Sequence, residues 1–125
     1  MARWLFKQEP DSYSYSDLER DGETVWDGVS NALALKHLRQ AQPGDVVWFY
    51  HTGKEKAIVG EMRVVANDAG VVKVAAVRRL AKPVTLAMVK ADALLADWEL
   101  VRLARLSVMP VSEAQWQRVE ALAAE

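Results

Sequence analysis

The chain contains no cysteine, which excludes a disulfide framework and a thiolate metal site and makes a reducing, cytoplasmic setting the default expectation. Its two histidines, His37 and His51, fit no usual zinc spacing, so neither a metal nor another cofactor is expected. Phosphate-loop and dinucleotide glycine patterns are absent. No apolar stretch approaches the roughly 20 residues of a membrane span, and the run Met1 to Phe6 is too short for a signal peptide. A strong excess of either charge is also missing: 16 Lys and Arg stand against 17 Asp and Glu, for a net charge of −1. Proteins that grip phosphate backbones non-specifically usually carry surplus positive charge. A nucleic-acid partner would therefore need a pocket to supply much of the affinity, with basic residues gathered on one face.

What is present is the balance of an ordinary globular protein: 125 residues, 51% hydrophobic and 26% charged. That length buries one core, so a single domain over residues 1–125 is expected, as a monomer or small homo-oligomer. The segment WLFK, bounded by Pro10, reads as a strand over Arg3 to Lys7. Ser16 is placed to cap a short helix from Asp17 that ends at Asp21-Gly22. TVWDGV is a brief extended piece, and Ala32 to Gln40 has helical spacing behind the capping residue Asn31. After Pro43-Gly44-Asp45, the segments VVWFYH, AIVGEMRVV and VVKVAAVRRL predict an antiparallel meander over Val46 to Leu80, closed by Pro83. A helix from Thr85 to Asp97, a short strand LSVMPV and a last helix behind the Ser112–Gln115 capping box complete the pattern. The fold class is α+β, with a curved sheet or small barrel of mainly antiparallel strands and helices packed outside.

Four ordered segments carry more specific information: WLFKQEP, VWDGVSN, FYHTG and LSVMPVS. Together they resemble the EVE-domain family, whose pattern runs W-x-x-K-x-E-P, W-D/E-G-V-R-N, F-Y-H-S and S-V-x-P-V. The resemblance spans Trp4 to Trp116. It implies a PUA-like small curved β-barrel, the architecture also used by YTH and SRA base readers, and a nucleic-acid-binding role, in many members the reading of a modified or flipped base in DNA or RNA. Ser30 stands where the family often has Arg, Thr52 where it has Ser, and Gln8 where Ser is frequent. The hairpin around Asn67 to Gly70 is short. Loss of that Arg removes a donor for phosphate or a base edge.

An extruded base offers a π-face for stacking and a hydrogen-bonding edge that needs fixed partners. Trp26 and Tyr50 are the stacking candidates, Trp26 because it sits between a turn and a helix start. Gly28 permits close backbone approach, and Asn31 either caps its helix or faces the ligand. Lys7 and Glu9 share one face of the first strand, opposite Trp4, Phe6 and Gln8, and either pair on the surface or line the pocket. His51 is expected at the pocket rim, and Ser107 either closes the pocket or begins a strand. Lys54, Lys56, Arg78, Arg79 and Arg105 are the phosphate-contact candidates, with Lys82 and Arg102 beside them; as ordinary solvated charges they would need no function. Trp48, Trp98 and Trp116 are assigned to the core. Two alternatives compete with base reading. One is a protein-interaction module using an exposed strand edge. The other is a hydrolase built on His51, Ser107 and Glu9, although no nucleophile motif surrounds Ser107.

Overall fold

Two of the most apolar segments, β1 (Arg3–Gln8) and β3 (Val46–His51), lie side by side within the sheet, where both faces are covered. The computed structural model describes residues 1–125. Between these strands the chain makes α1 (Tyr15–Asp21), β2 (Glu23–Trp26) and α2 (Ala32–Gln40). That crossover is long enough for β1 and β3 to pair in parallel, Phe6 opposite Phe49. Strands β4 (Ala57–Asp68) and β5 (Val71–Thr85) continue the expected antiparallel meander. The short α3 (Leu86–Ala91) and α4 (Glu99–Arg102), strand β6 (Val108–Pro110) and α5 (Glu113–Ala124) follow. No helix is long and apolar enough to cross a membrane.

The sheet is not closed into a barrel. Its order is β2-β5-β4-β3-β1-β6, and the end strands β2 and β6 share no ladder. It curls nonetheless: the Trp26 ring on β2 comes within 5.4 Å of Phe6 on β1 and 5.2 Å of Phe49 on β3. Helix α2 contacts both β5 and β6, so it fills part of the gap that hydrogen bonds would otherwise bridge. The curl is thus held by side chains rather than by a continuous ladder.

Several local expectations shift by physical causes that the pattern hid. Ser14, not Ser16, caps α1, because Asp17 returns the bond to the Ser14 N–H and completes a capping box. Pro83 does not end β5. Ile58 pairs with Val84 and Gly60 with Arg79, so four residues from Leu80 to Pro83 oppose Val59 alone, and a residue without an N–H is accommodated in that bulge. The helix expected through Asp97 stops at Ala91, where the Asp92 carboxylate accepts the Leu94 N–H and the Arg118 Nε–H. Trp48 and Trp116 stack at 3.8 Å, while Trp98 is buried nearby in the same core.

Two polar groups tie the strands together from inside. The buried Asp45 carboxylate accepts the Ala2 N–H, the Trp4 indole N–H and the Gln42 N–H, fastening the start of β1 to the turn before β3. Tyr15 is fully buried, and its hydroxyl lies 2.7 Å from the Glu61 carbonyl and 2.8 Å from that of Arg78. Those carbonyls flank a register shift in the β4–β5 ladder, so the phenol supplies a donor where the ladder is interrupted. The ring lies against Gly60, where any Cβ would overlap it.

Gly60→Ala is therefore expected to force Tyr15 out of place and cost about 2 kcal/mol or more, read from urea denaturation. Wild-type stability in that variant would contradict the packing described. Burial pushes the phenols of Tyr15 and Tyr50 up to about 12 from an ordinary 10.0. A raised folded-state value means that the unfolded chain loses these protons first. The associated stability is complete below about pH 10 and lost as pH rises toward about 12. Chemical denaturation across that window should show a steep fall that weakens in Tyr50→Phe.

Candidate functional site

The place where the curled sheet fails to close holds a cavity of about 580 Å³, large enough for a small planar ligand. Its walls come from five stretches: the end of β1 (Lys7, Gln8, Glu9), the following loop (Ser12, Tyr13), β2 with the residues after it (Thr24 to Val29), Thr52 beyond β3, and Arg105 with Ser107 before β6. Chain segments far apart in sequence meet here because β1 and β2 run along opposite lips of the gap.

Of the residues expected at a base site, Lys7, Gln8, Glu9, Trp26, Gly28 and Ser107 line this cavity. Trp26 lies in a strand rather than between a turn and a helix start, and it is 4% exposed. Phe49 meets it edge-on, with 87° between the rings, so Trp26 is both core and cavity wall. Gly28 has φ +77° and open space where a Cβ would be, which leaves this stretch of wall without a side chain. The Gln8 Oε1 accepts the Glu9 N–H, and its amide nitrogen has no protein partner. Glu9 accepts from the Thr52 hydroxyl at 3.1 Å and lies against Gly53, whose φ of +79° suits glycine. Lys7 donates to the Ala104 carbonyl at 3.0 Å, and burial pulls its ammonium below the usual lysine range.

Three of the expected site residues go elsewhere. Tyr50 is absent from the cavity. Alternation along β3 turns it to the face opposite Phe49, beside Lys7, whose Nζ is 5.6 Å from the ring centre. It therefore cannot sandwich a base against Trp26. His51 is not at a rim but 7% exposed in the interior. Its Nε2 accepts the Tyr15 N–H at 3.0 Å, which requires the remaining ring proton on Nδ1, facing Glu55 Oε1 at 2.6 Å. Both nitrogens are committed, so His51 cannot activate Ser107, and the hydrolase grouping does not assemble. Asn31 caps α2 through Oδ1, 3.0 Å from the Ala34 N–H, and lines a neighbouring groove instead.

The basic residues divide as well. Arg78 is held by Glu61 and Glu120, and Arg79 by Glu19 and Ser16. These two pin helices to the sheet, so both phosphate-contact candidates already carry carboxylate partners. Arg105 is exposed, has no ion-pair partner and lines the cavity. Lys54 and Lys56 are exposed in the loop that leaves Thr52. Lys82 is exposed too, and Arg102 bonds the Asp97 carbonyl.

Seven lining residues were not among the site candidates drawn from sequence: Ser12, Tyr13, Thr24, Val25, Asp27, Val29 and Thr52. Asp27, Val29 and Thr52 lie inside the motifs VWDGV and FYHT, so a motif reading that took every polar position would have reached Asp27 and Thr52. Tyr13 had no such signal. It is folded onto the cavity because its N–H and that of Ser12 both donate to the Glu9 carbonyl, and its hydroxyl donates to Asp21 at 2.8 Å.

Comparison with known proteins agrees with this architecture. A crystal structure of human THYN1 protein in complex with 5-methylcytosine-containing DNA superposes with a TM-score of 0.91 at 25% identity, covering 100% of this chain and 99% of that one. A crystal structure of protein Atu2648 from Agrobacterium tumefaciens gives a TM-score of 0.93 at 32% identity, covering 98% and 93% of the two chains. In sequence, human thymocyte nuclear protein 1 is 37% identical over 76 residues, which are 51% of this chain and 34% of that protein. That match accounts for about a third of the human protein's length. The EVE domain model matches residues 2–122, and the chain belongs to the EVE domain family.

Proposed function

We propose that this protein binds nucleic acid by taking one base, a modified cytosine in the first instance, into the cavity beside Trp26 and holding it there without transforming it. The observation that carries the reading is the composition of the cavity wall at the open seam. Gln8 has a free amide donor, and Asp27 is an exposed carboxylate engaged by no protein donor. A cytosine edge presents an amino donor beside ring and carbonyl acceptors, and a carboxylate is a natural partner for that amino group. Val25, Val29 and Trp26 supply apolar surface on which a 5-methyl group could be covered. Tyr13, half-buried on the wall, is the aromatic group available to the ring face, which reassigns the stacking role first given to Trp26 and Tyr50; Trp26, 4% exposed, lends the cavity only a strip of wall. The human relative bound to 5-methylcytosine-containing DNA supports the ligand class.

Binding without chemistry is supported by the engagement of the groups that would otherwise react. His51 is satisfied on both ring nitrogens, and Glu9 is held by Thr52. Whether the strand is DNA or RNA is a matter for the same experiment. Both kinds of oligonucleotide are titrated, carrying cytosine, 5-methylcytosine or a bulkier 5-substituted cytosine.

Wild-type protein is expected to bind at least one modified oligonucleotide at micromolar concentration or below. Ser107→Phe should fill the cavity, and Asp27→Ala should remove the acceptor, each weakening binding by about tenfold to a hundredfold while the melting temperature is preserved. Unchanged binding in both variants would overturn the cavity as the site. With Lys54, Lys56 and Arg105 as phosphate contacts, the slope of log affinity against log salt should be no steeper than about −3. A slope near −6 measured by titration at several salt concentrations would point to a broad basic face instead.

A further inference from the structure

A second groove adjoins the base cavity, and Arg105 belongs to both. It is lined by Asn31, Leu33, Arg102, Leu103, Ala104, Arg105 and Leu106, with a volume of about 370 Å³. Its walls continue those of the cavity along the chain: Asn31 follows Val29 by two residues, and Leu106 precedes Ser107 directly. Leu33 is 42% exposed and Leu103 40%, and Val25, at 45%, lies in the neighbouring cavity. Three of the chain's seven exposed large apolar residues are therefore gathered around these two hollows. Isolated exposed leucines need no explanation, whereas an apolar floor between two arginines does.

We infer that this groove receives the nucleotide next to the one in the cavity, the two leucines covering its base and Arg105 meeting the phosphate that links the pair. The inference rests on the reading of the cavity as a base site and adds the occupant of the adjoining groove. Charge complementarity selects a nucleotide over an apolar peptide. Arg105 has no carboxylate partner, and the nearest carboxylate to the Arg102 guanidinium, that of Glu99, lies 3.9 Å away. Asn31 supplies a fixed donor. Its Oδ1 is occupied by the helix cap, and the Nδ2 amide of this exposed residue has no protein acceptor. An apolar wedge beside an extruded base also fits the physics of extrusion, because the neighbouring base loses a stacking partner and gains from apolar cover.

The test compares a 5-methylcytidine monophosphate with dinucleotides carrying the second residue on its 5′ or its 3′ side, titrated against wild type, Leu33→Ser/Leu103→Ser and Asn31→Asp. Asn31→Asp keeps the capping oxygen, so α2 is retained while the amide donor becomes a carboxylate facing phosphate. One dinucleotide should bind wild type about tenfold tighter than the monophosphate, and that gain should fall to about threefold or less in both variants. Melting temperature should stay unchanged in both variants, and monophosphate affinity in Leu33→Ser/Leu103→Ser. A full gain persisting in both variants, or no gain in wild type for either dinucleotide, overturns the groove assignment while leaving the cavity reading intact. No binding of the monophosphate or of any modified oligonucleotide by wild type removes the cavity reading and the groove assignment with it.

Discussion

The contact of Trp26 with Phe6 and Phe49 is the constraint on which the rest of the molecule depends. A six-stranded sheet with free ends would ordinarily need a continuous ladder to curl into a closed shape. Here the end strands β2 and β6 never pair, and three aromatic rings draw β2 toward β1 and β3 across the interior. Because side chains and not hydrogen bonds hold that approach, a gap persists at one end of the seam. The cavity is that gap, and α2 occupies another part of it.

The aromatic knot is supported from the neighbouring layer. Tyr15 packs edge-on to Phe49 at 82°, and its backbone N–H is received by His51, which in turn faces Glu55. Arg79 lies over the Tyr15 ring and reaches back to Glu19 on the same helix. Helix α1 is thus locked to the β4–β5 irregularity by a phenol and a guanidinium, and to the end of β3 by an imidazole. Removing the phenol or the imidazole would leave polar atoms in the interior without partners, which costs more than the lost bond itself contributes.

Much of this was legible in the sequence wherever local chemistry decides the outcome. The caps at Asn31, Thr85 and Ser112, the Pro43-Gly44-Asp45 turn and the three-strand meander follow from short-range patterns, and the structure contains them. The four motifs carried the family. What escaped depends on registers and closures that no local pattern encodes. Tyr50 and Trp26 look equivalent as aromatic residues in motifs, yet strand alternation puts them on opposite faces. His51 reads as a rim residue until the Tyr15 N–H is found against it. The open sheet was invisible because closure depends on whether two distant edge strands meet, and each of them is individually an unremarkable short strand. Tyr13 entered the cavity through a turn on the Glu9 carbonyl, which its own side chain gives no hint of.

Trp26 serves at once as keystone of the curl and as part of the cavity wall, so the frame and the hollow cannot be altered independently at that position. Lineages that keep this architecture are left to diversify through residues with no part in holding the seam, among them Gln8, Asp27 and Ser107. On the proposed reading, the identity of the base taken in is set by that lining while the scaffold stays fixed, an arrangement in which evolvability resides in the lining and robustness in the aromatic frame.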